Sequence, residues 1–329
     1  MSLKSIIRDV FKLSYLFPLR IIVQKIPFKW TFLLARWGGS VAYLVLRRKR
    51  KAFERELYCI APISNAIDMA FEIKNTFINT LQNELELLLY PTLNKGNIDS
   101  IIVYNGMEHL DRAIKAGNGT MLVFAHFGAN QMIMPAIGYR DYKMCQMSAP
   151  STIWEEKLPN RKFSRIEKLG LRIRWEYEQS LPVTHINIFG SMKEAFLCLK
   201  RNDILGIALD GGGGKKKVSV DFLGKKALFA VGAMEIAMRS GCAVLPTFMI
   251  RGKDGRHTMI IESPLEIYTK EQCEDAVEKN TLAFVKKLEK YVLRHPSHYL
   301  NFLALRRFME AQGDAPFLVS NTNNRMVNS

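Results

Sequence analysis

Residues 119–138 read GTMLVFAHFGANQMIMPAIG, and the remainder of the chain is organised around them. Thr120 to Ala125 is a short apolar run after a glycine, which predicts a buried strand. His126 then falls on a turn with Gly128. A helix is expected from Asn130, which is placed to cap it, with Gly128 relaxing the backbone just before. A side chain delivered to the C-terminal end of such a strand stands where α/β sheets open toward their ligands. His126 is therefore a candidate general base, weighed against the commoner structural histidine.

Outward from this stretch, strands are expected at Ile101–Tyr104, Lys143–Met147, Leu171–Trp175, His185–Phe189, Ile204–Leu209, Val218–Gly224, Cys242–Ile250 and Met259–Glu262. Apolar spacing predicts a helix over 66–92, with Glu84 and Glu86 on its polar side, and another over Met107–Ala116 ending at Gly117. Further helices are expected at Trp154–Leu169 (broken by Pro159), Ser191–Lys200 with a Ser191/Glu194 capping box, Val231–Arg239 and Lys270–Arg294. Alternating strands and helices imply an α/β fold, with a largely parallel central sheet flanked by helices. From Gln312 the chain turns polar, so 312–329 is expected to be a disordered tail.

The chain has 329 residues, 48% of them hydrophobic, enough for one large domain or a domain with an appendage. Its five cysteines form no CxxC pair, which argues against a disulfide framework or a zinc site and for a reducing compartment. Lys and Arg number 47 against 31 acidic residues, a net charge of +16. That balance favours an anionic partner: a membrane surface, a phosphorylated substrate or nucleic acid.

Residues 1–60 are apolar and basic together. The uncharged run Trp37–Leu46 is far short of the ~20 residues that span a bilayer. It is followed by Arg47-Arg48-Lys49-Arg50-Lys51, so the segment fits a membrane-associating helix lying in an anionic interface, or a core helix with a solvated charge run. The first apolar patch has no small-residue cleavage site, so no signal peptide is expected.

The strand Ile204–Leu209 runs into Asp210 and four glycines, then Lys215 to Lys217. No GxxxxGK[ST] pattern fits. Glycine-rich backbone beside lysines suits an anion or a plain surface hairpin equally. There is no G-x-S-x-G elbow, and His295 and His298 lack a carboxylate partner for a metal.

Several blocks, in order, resemble one family. VYNGMEHLDRAIKAGNGTMLVFAHFGANQ (103–131), LDGGGGKKKVSVDFLGKKALFAVGAMEIAMRSGCAVLP (209–246) and PSHYLNFLALRRF (296–308) are similar to the lipid A biosynthesis acyltransferases. These are the lauroyl- and myristoyl-transferase branch of the lysophospholipid acyltransferase superfamily. The resemblance implies that His126 deprotonates a hydroxyl of a lipid or glycolipid acceptor, which attacks the thioester of acyl carrier protein or coenzyme A. No cofactor or metal is implied beyond that co-substrate. The expected place is the cytoplasmic face of the cell inner membrane, as a peripheral or monotopic protein on its anionic surface. The implied domains are a membrane-associating region over 1–60, an acyltransferase domain over 61–311, and the tail.

In the family's HxxxxD/E motif the acidic position is Gln131 here. An amide can accept from the imidazole but cannot offset its charge. Either a carboxylate from elsewhere (Glu155, Glu156 or Asp210) serves His126, or the protein is a catalytically impaired lipid-binding relative, or Gln131 is an introduced replacement for Glu. By the same resemblance, Arg165, with Arg161 as its rival, would neutralise a phosphate. The other candidate substrate-binding positions are Asp210, which matches the Asp of the family's Asp-Gln pair, Gly211, which departs from its Gln, Lys215, which adds charge, and Gly224. Gly224 ends a Phe-Leu-Gly run similar to Phe-Phe-Gly. Met132, Met134, Met144 and Met147 would line an acyl groove or pack the core. From charge alone, nucleic-acid binding is the remaining alternative. The chain lacks a recognised nucleic-acid module, so no such partner is expected.

Overall fold

A computed structural model describes residues 9–10, 12–60, 68–157, 162–212, 214 and 216–319. The longer helices are α1 (Phe28–Val45), α2 (Arg47–Ile60), α3 (Met69–Leu89), α4 (Met107–Ala116), α5 (Ile133–Gly138), α6 (Arg165–Gln179), α7 (Lys193–Lys200), α8 (Gly232–Ser240), α9 (Ala276–Arg294) and α10 (Leu300–Glu310). The strands are β1 (Ile102–Asn105), β2 (Thr120–Phe124), β3 (Met144–Ser148), β4 (Thr184–Asn187), β5 (Ile204–Ala208), β6 (Lys217–Phe222), β7 (Lys225–Ala230), β8 (Ala243–Arg251), β9 (His257–Ile261) and β10 (Leu318–Val319).

Seven strands form the central sheet, in the order β1-β9-β8-β2-β5-β3-β4. Neighbours pair in parallel except β8 with β9, so the expected largely parallel α/β sheet is present. β2 is buried along its whole length. Its Met121 and Val123 pack into one core, with α2, α3 and α9. Its Leu122 and Phe124 pack into another, with α4 and α5. Covering both faces is what turns a parallel strand into an unbroken apolar run.

A second sheet, β10-β7-β6, flanks the first. β7 is absent from the sequence expectation. Leu223 and Gly224 both take left-handed backbone angles (φ 52° and 70°) and fold β6 back on β7 as a two-residue hairpin. Residues 312–319 are likewise not a loose tail. Phe317 is buried against Phe222, Phe229 and Phe302, and β10 pairs antiparallel with β7. Phe317, with Leu318 beside it, docks the segment on the apolar core. Residues 320–329 lie outside the described residues.

Other local expectations give way to tertiary structure. Leu171–Trp175 lies within α6, not in a strand: Ser164 and Glu167 form a reciprocal capping box that starts a helix through this five-residue alternation. The box expected at Ser191 is missing, because α7 starts at Lys193 and Ser191 Oγ instead accepts from the Lys193 N–H at 3.2 Å. Asn130 opens a 3-10 turn, Asn130–Met132, with no side-chain cap. Glu86 is not on a solvated face. It is buried, paired with Arg251 (2.7 Å) and His257 (2.9 Å).

At the N-terminus, α1 packs closely on α3. A methyl group on Gly39 would lie 2.6 Å from the Ile78 Cα, so only glycine permits this approach. The opposite face of α1 leaves Trp30, Leu33, Trp37, Val41 and Leu44 exposed. No helix among the described residues is long and apolar enough to cross a membrane.

Candidate active site

β2 and β5 are adjacent and parallel, in a register that pairs Phe124 with Ala208. The ladder runs on, with the Leu209 N–H donating to the Phe124 carbonyl at 2.9 Å. Two residues past the paired ends, the same register sets His126 beside Asp210. The His126 N–H donates to the Asp210 carboxylate (2.9 and 3.1 Å), and His126 Nδ1 lies 2.7 Å from Asp210 Oδ1. The Tyr299 hydroxyl donates to Oδ2 at 2.9 Å. The carboxylate has no exposed surface, whereas the His126 side chain is 44% exposed.

This arrangement fixes the imidazole. With Nδ1–H facing a carboxylate, Nε2 keeps its lone pair, and it makes no hydrogen bond among the described residues. Phe302 stacks on the ring at 5.0 Å with only 6° between the planes. Burial disfavours the charged ring, but Asp210 outweighs it by charge and hydrogen bond, and the net effect raises His126 above the usual histidine value. Burial and the nearby carboxylate push the Tyr299 phenol far up, so it stays a proton donor to Asp210.

The turn holding His126 is pinned from β8 and the 3-10 turn Pro296–His298. The Gly128 N–H donates to the His298 carbonyl (3.0 Å) and the Ala129 N–H to the Met249 carbonyl (3.1 Å). Gly128 has φ 61°, and a side chain there would strike the Met249 carbonyl. Burial, with Arg251 adding to it, holds His298 well below its usual value. It is thus neutral, and its Nε2 accepts from the Arg251 N–H at 3.1 Å.

No hydrogen bond joins Gln131 to His126 among the described residues, and His126 Nδ1 faces Asp210 instead. The chain leaves Gly128 into the 3-10 turn, and the Gln131 carbonyl accepts from the buried Tyr90 hydroxyl at 2.9 Å. Of the three carboxylates weighed for His126, Asp210 is the one hydrogen-bonded to it. Glu155 pairs instead with Lys168 at 2.6 Å. Gly211 borders the imidazole: a methyl group on it would lie 3.9 Å from His126 Cε1.

Gly224 belongs to the β6–β7 hairpin turn. Arg165 is exposed on the first turn of α6 and has no ion pair among the described residues. Arg161 and Lys215 lie outside the described residues. Met132, Met134, Met144 and Met147 are all buried, which makes them core.

The residues missed by sequence reasoning are Tyr299 and Phe302, which reach the dyad from the start of α10. With Arg306 they are spaced i, i+3, i+7, one face of a helix, and that periodicity was the available signal.

A second cluster lies at the N-terminal end of the sheet, where the ligand atoms of Cys145, Cys198 and Asp203 are within 4.8 Å of one another. Arg201 already holds Asp203 at 2.9 Å and approaches Cys145 Sγ at 3.8 Å. A cation therefore faces two of the three groups that would bind a metal.

The family model described as bacterial lipid A biosynthesis acyltransferase matches residues 11–309. Two phosphatidylinositol mannoside acyltransferases of Mycobacterium tuberculosis, from strains CDC 1551 / Oshkosh and ATCC 25618 / H37Rv, are 26% and 25% identical over 168 residues. The match covers 49% of this chain and 49% of each relative, so the chain spans about half the length of the curated relatives it matches. The crystal structure of the 1-acyl-sn-glycerophosphate (LPA) acyltransferase PlsC from Thermotoga maritima aligns with a TM-score of 0.32 and 15% identity, over 74% of this chain and 97% of that one. With nearly the whole chain matched in order by one family model, this protein belongs to the bacterial lipid A biosynthesis acyltransferase family.

Proposed function

We propose that this chain transfers a fatty acyl group from a carrier thioester, of acyl carrier protein or coenzyme A, to a hydroxyl of a lipid acceptor. The observation that carries the reading is the buried Asp210 carboxylate on Nδ1 of a histidine whose other face is open. His126 Nε2 takes the proton of the acceptor hydroxyl as its oxygen attacks the thioester carbonyl. The resulting imidazolium is stabilised by Asp210, which Tyr299 holds in place. Collapse of the tetrahedral intermediate breaks the C–S bond, and the imidazolium returns the proton to the leaving sulfur. The curated relatives are named for a mannosylated phospholipid, which favours a glycolipid acceptor here.

The exposed stripe Trp30, Leu33, Trp37, Val41 and Leu44 on α1 supports docking at a membrane surface. The basic start of α2, Arg47 to Lys51, would meet anionic headgroups there. Both features support a reaction at the inner face of the cell membrane.

The test is lipid mass spectrometry on anionic vesicles carrying candidate acceptors, incubated with the protein and a panel of acyl donors. A new acylated lipid should form with the natural chain and vanish with His126→Ala. Sedimented vesicles should retain His126→Ala and release Trp37→Asp. Vesicle binding with no product from any donor would instead mark a lipid-binding protein.

A further inference from the structure

Arg306 sits on the same face of α10 as Tyr299 and Phe302, but neither helps the dyad nor leaves it alone. Its side chain is 8% exposed. Nη1 donates to Asp314 Oδ2 at 3.0 Å, and Nη2 to the Ala315 carbonyl at 3.3 Å. Nε, also buried, has no partner among the described residues. A buried guanidinium normally has its donors satisfied, so an orphan Nε beside a reaction centre needs an explanation.

The guanidinium and the imidazole border the two consecutive glycines that follow Asp210. A methyl group on Gly211 would be 3.9 Å from His126 Cε1, and one on the next residue, Gly212, would be 2.4 Å from Arg306 Nη1. Consecutive Cα atoms are about 3.8 Å apart, so the imidazole and the guanidinium flank one short backbone step. Glycine at 212 is what lets the cation come so near. Arg306 also acts on His126 electrically, opposing the effect of Asp210.

Both occupied Nη groups are held by one segment, residues 314–315. It follows Gly313, whose φ of 99° only glycine takes readily and which has open space around it. The segment is fastened beyond by Phe317 and the two-residue strand β10. The Asp314 side chain is 35% exposed, so an anion arriving from solvent meets this carboxylate.

We propose that Arg306 is the anchor for a phosphate group of the molecule that docks at His126, and that the Asp314 carboxylate occupies that place in the free protein. Guanidinium presents its donors in a planar fork that matches phosphate oxygens, and here both Nη atoms become available together when 314–315 lifts. The phosphate belongs to a phospholipid headgroup or to the carrier's pantetheine arm. This deepens the acyl-transfer reading and rests on it only for the identity of the ligand as a substrate.

Isothermal titration calorimetry without any acyl donor tests it, using dihexanoyl phosphatidic acid, coenzyme A and inorganic phosphate as three separate probes. At least one should bind saturably, and which one does so identifies the source of the phosphate. Arg306→Gln should weaken that binding at least tenfold, with Arg306→Lys intermediate. Asp314→Asn should tighten it at least threefold, and the gain should disappear in the double variant. A misfolded variant cannot bind more tightly, so the Asp314→Asn arm stands even where Arg306→Gln melts early. The proposal is overturned by no saturable binding from any probe, by Arg306→Gln binding like the natural chain, or by Asp314→Asn binding more weakly. Turnover is not read, so a chain that binds phosphate but makes no product refutes the proposed function and leaves this subsite standing.

Discussion

Two buried carboxylates in this protein each hold a histidine, and they do opposite work. Asp210 carries His126 at the open C-terminal end of the central strands, with the imidazole 44% exposed. Glu86 carries His257, which has no exposed surface, and the same carboxylate pairs with buried Arg251. The second group clamps α3 to β8 and β9, and Arg251 passes that order to His298 and so to the turn at Gly128. A carboxylate on a histidine therefore does not mark a reaction centre by itself. What separates the two is exposure: the second nitrogen of His257 also lacks a partner among the described residues, but only the His126 ring is open to solvent.

Making each carboxylate neutral separates the two pairs most visibly. Asp210→Asn should lower the acyl-transfer rate by up to ~10⁴, the scale of the same change in a Ser-His-Asp triad, while Tm moves by only a few degrees. A rate within tenfold of the natural chain would remove Asp210 from the mechanism. Glu86→Gln should do the reverse. It strands Arg251 as a buried unpaired charge, at a cost of roughly 3–5 kcal/mol in urea unfolding, with little change in rate per folded molecule.

pH separates the two pairs next. Burial would raise Glu86, but Arg251 and His257 outweigh it and pull it to about 2 from an ordinary 4.5. A lowered carboxylate contributes its stability above the ordinary value and loses it as pH falls toward about 2. Unfolding followed from pH 5 down should show this acid limb in the natural chain and a flatter one in Glu86→Gln. His126 is shifted the other way. The pairing with Asp210 stabilises the fold fully below the ordinary histidine value of 6.5, and that gain is lost as pH rises through the higher folded value. As a base His126 must be neutral, so the rate should climb with pH at values above 6.5, and any residual activity of Asp210→Asn should climb earlier. An unshifted limb would mean that His126 is not the titrating base.

The smallest effect belongs to the motif position. Because Asp210 already occupies Nδ1, Gln131→Glu should change the rate by less than about tenfold, or 1.4 kcal/mol. A large gain would show that position 131, and not Asp210, limits the histidine.

The sequence by itself determined the alternating α/β order, the buried run ending at His126, the second buried run ending at Asp210, and the family. Each of these depends on local composition or on patterns within a few tens of residues. Local signals also named Asp210, but only as one of three carboxylates and otherwise as a substrate contact. The tertiary structure alone decided that β2 lies beside β5, and in a register that carries His126 to Asp210 across 84 residues of chain. It alone showed that α10 folds back to bring Tyr299 and Phe302 onto that pair, and that Glu86 is buried. Strand order and helix docking are set by how apolar faces pack together over the whole chain, and no short window of sequence contains that sum.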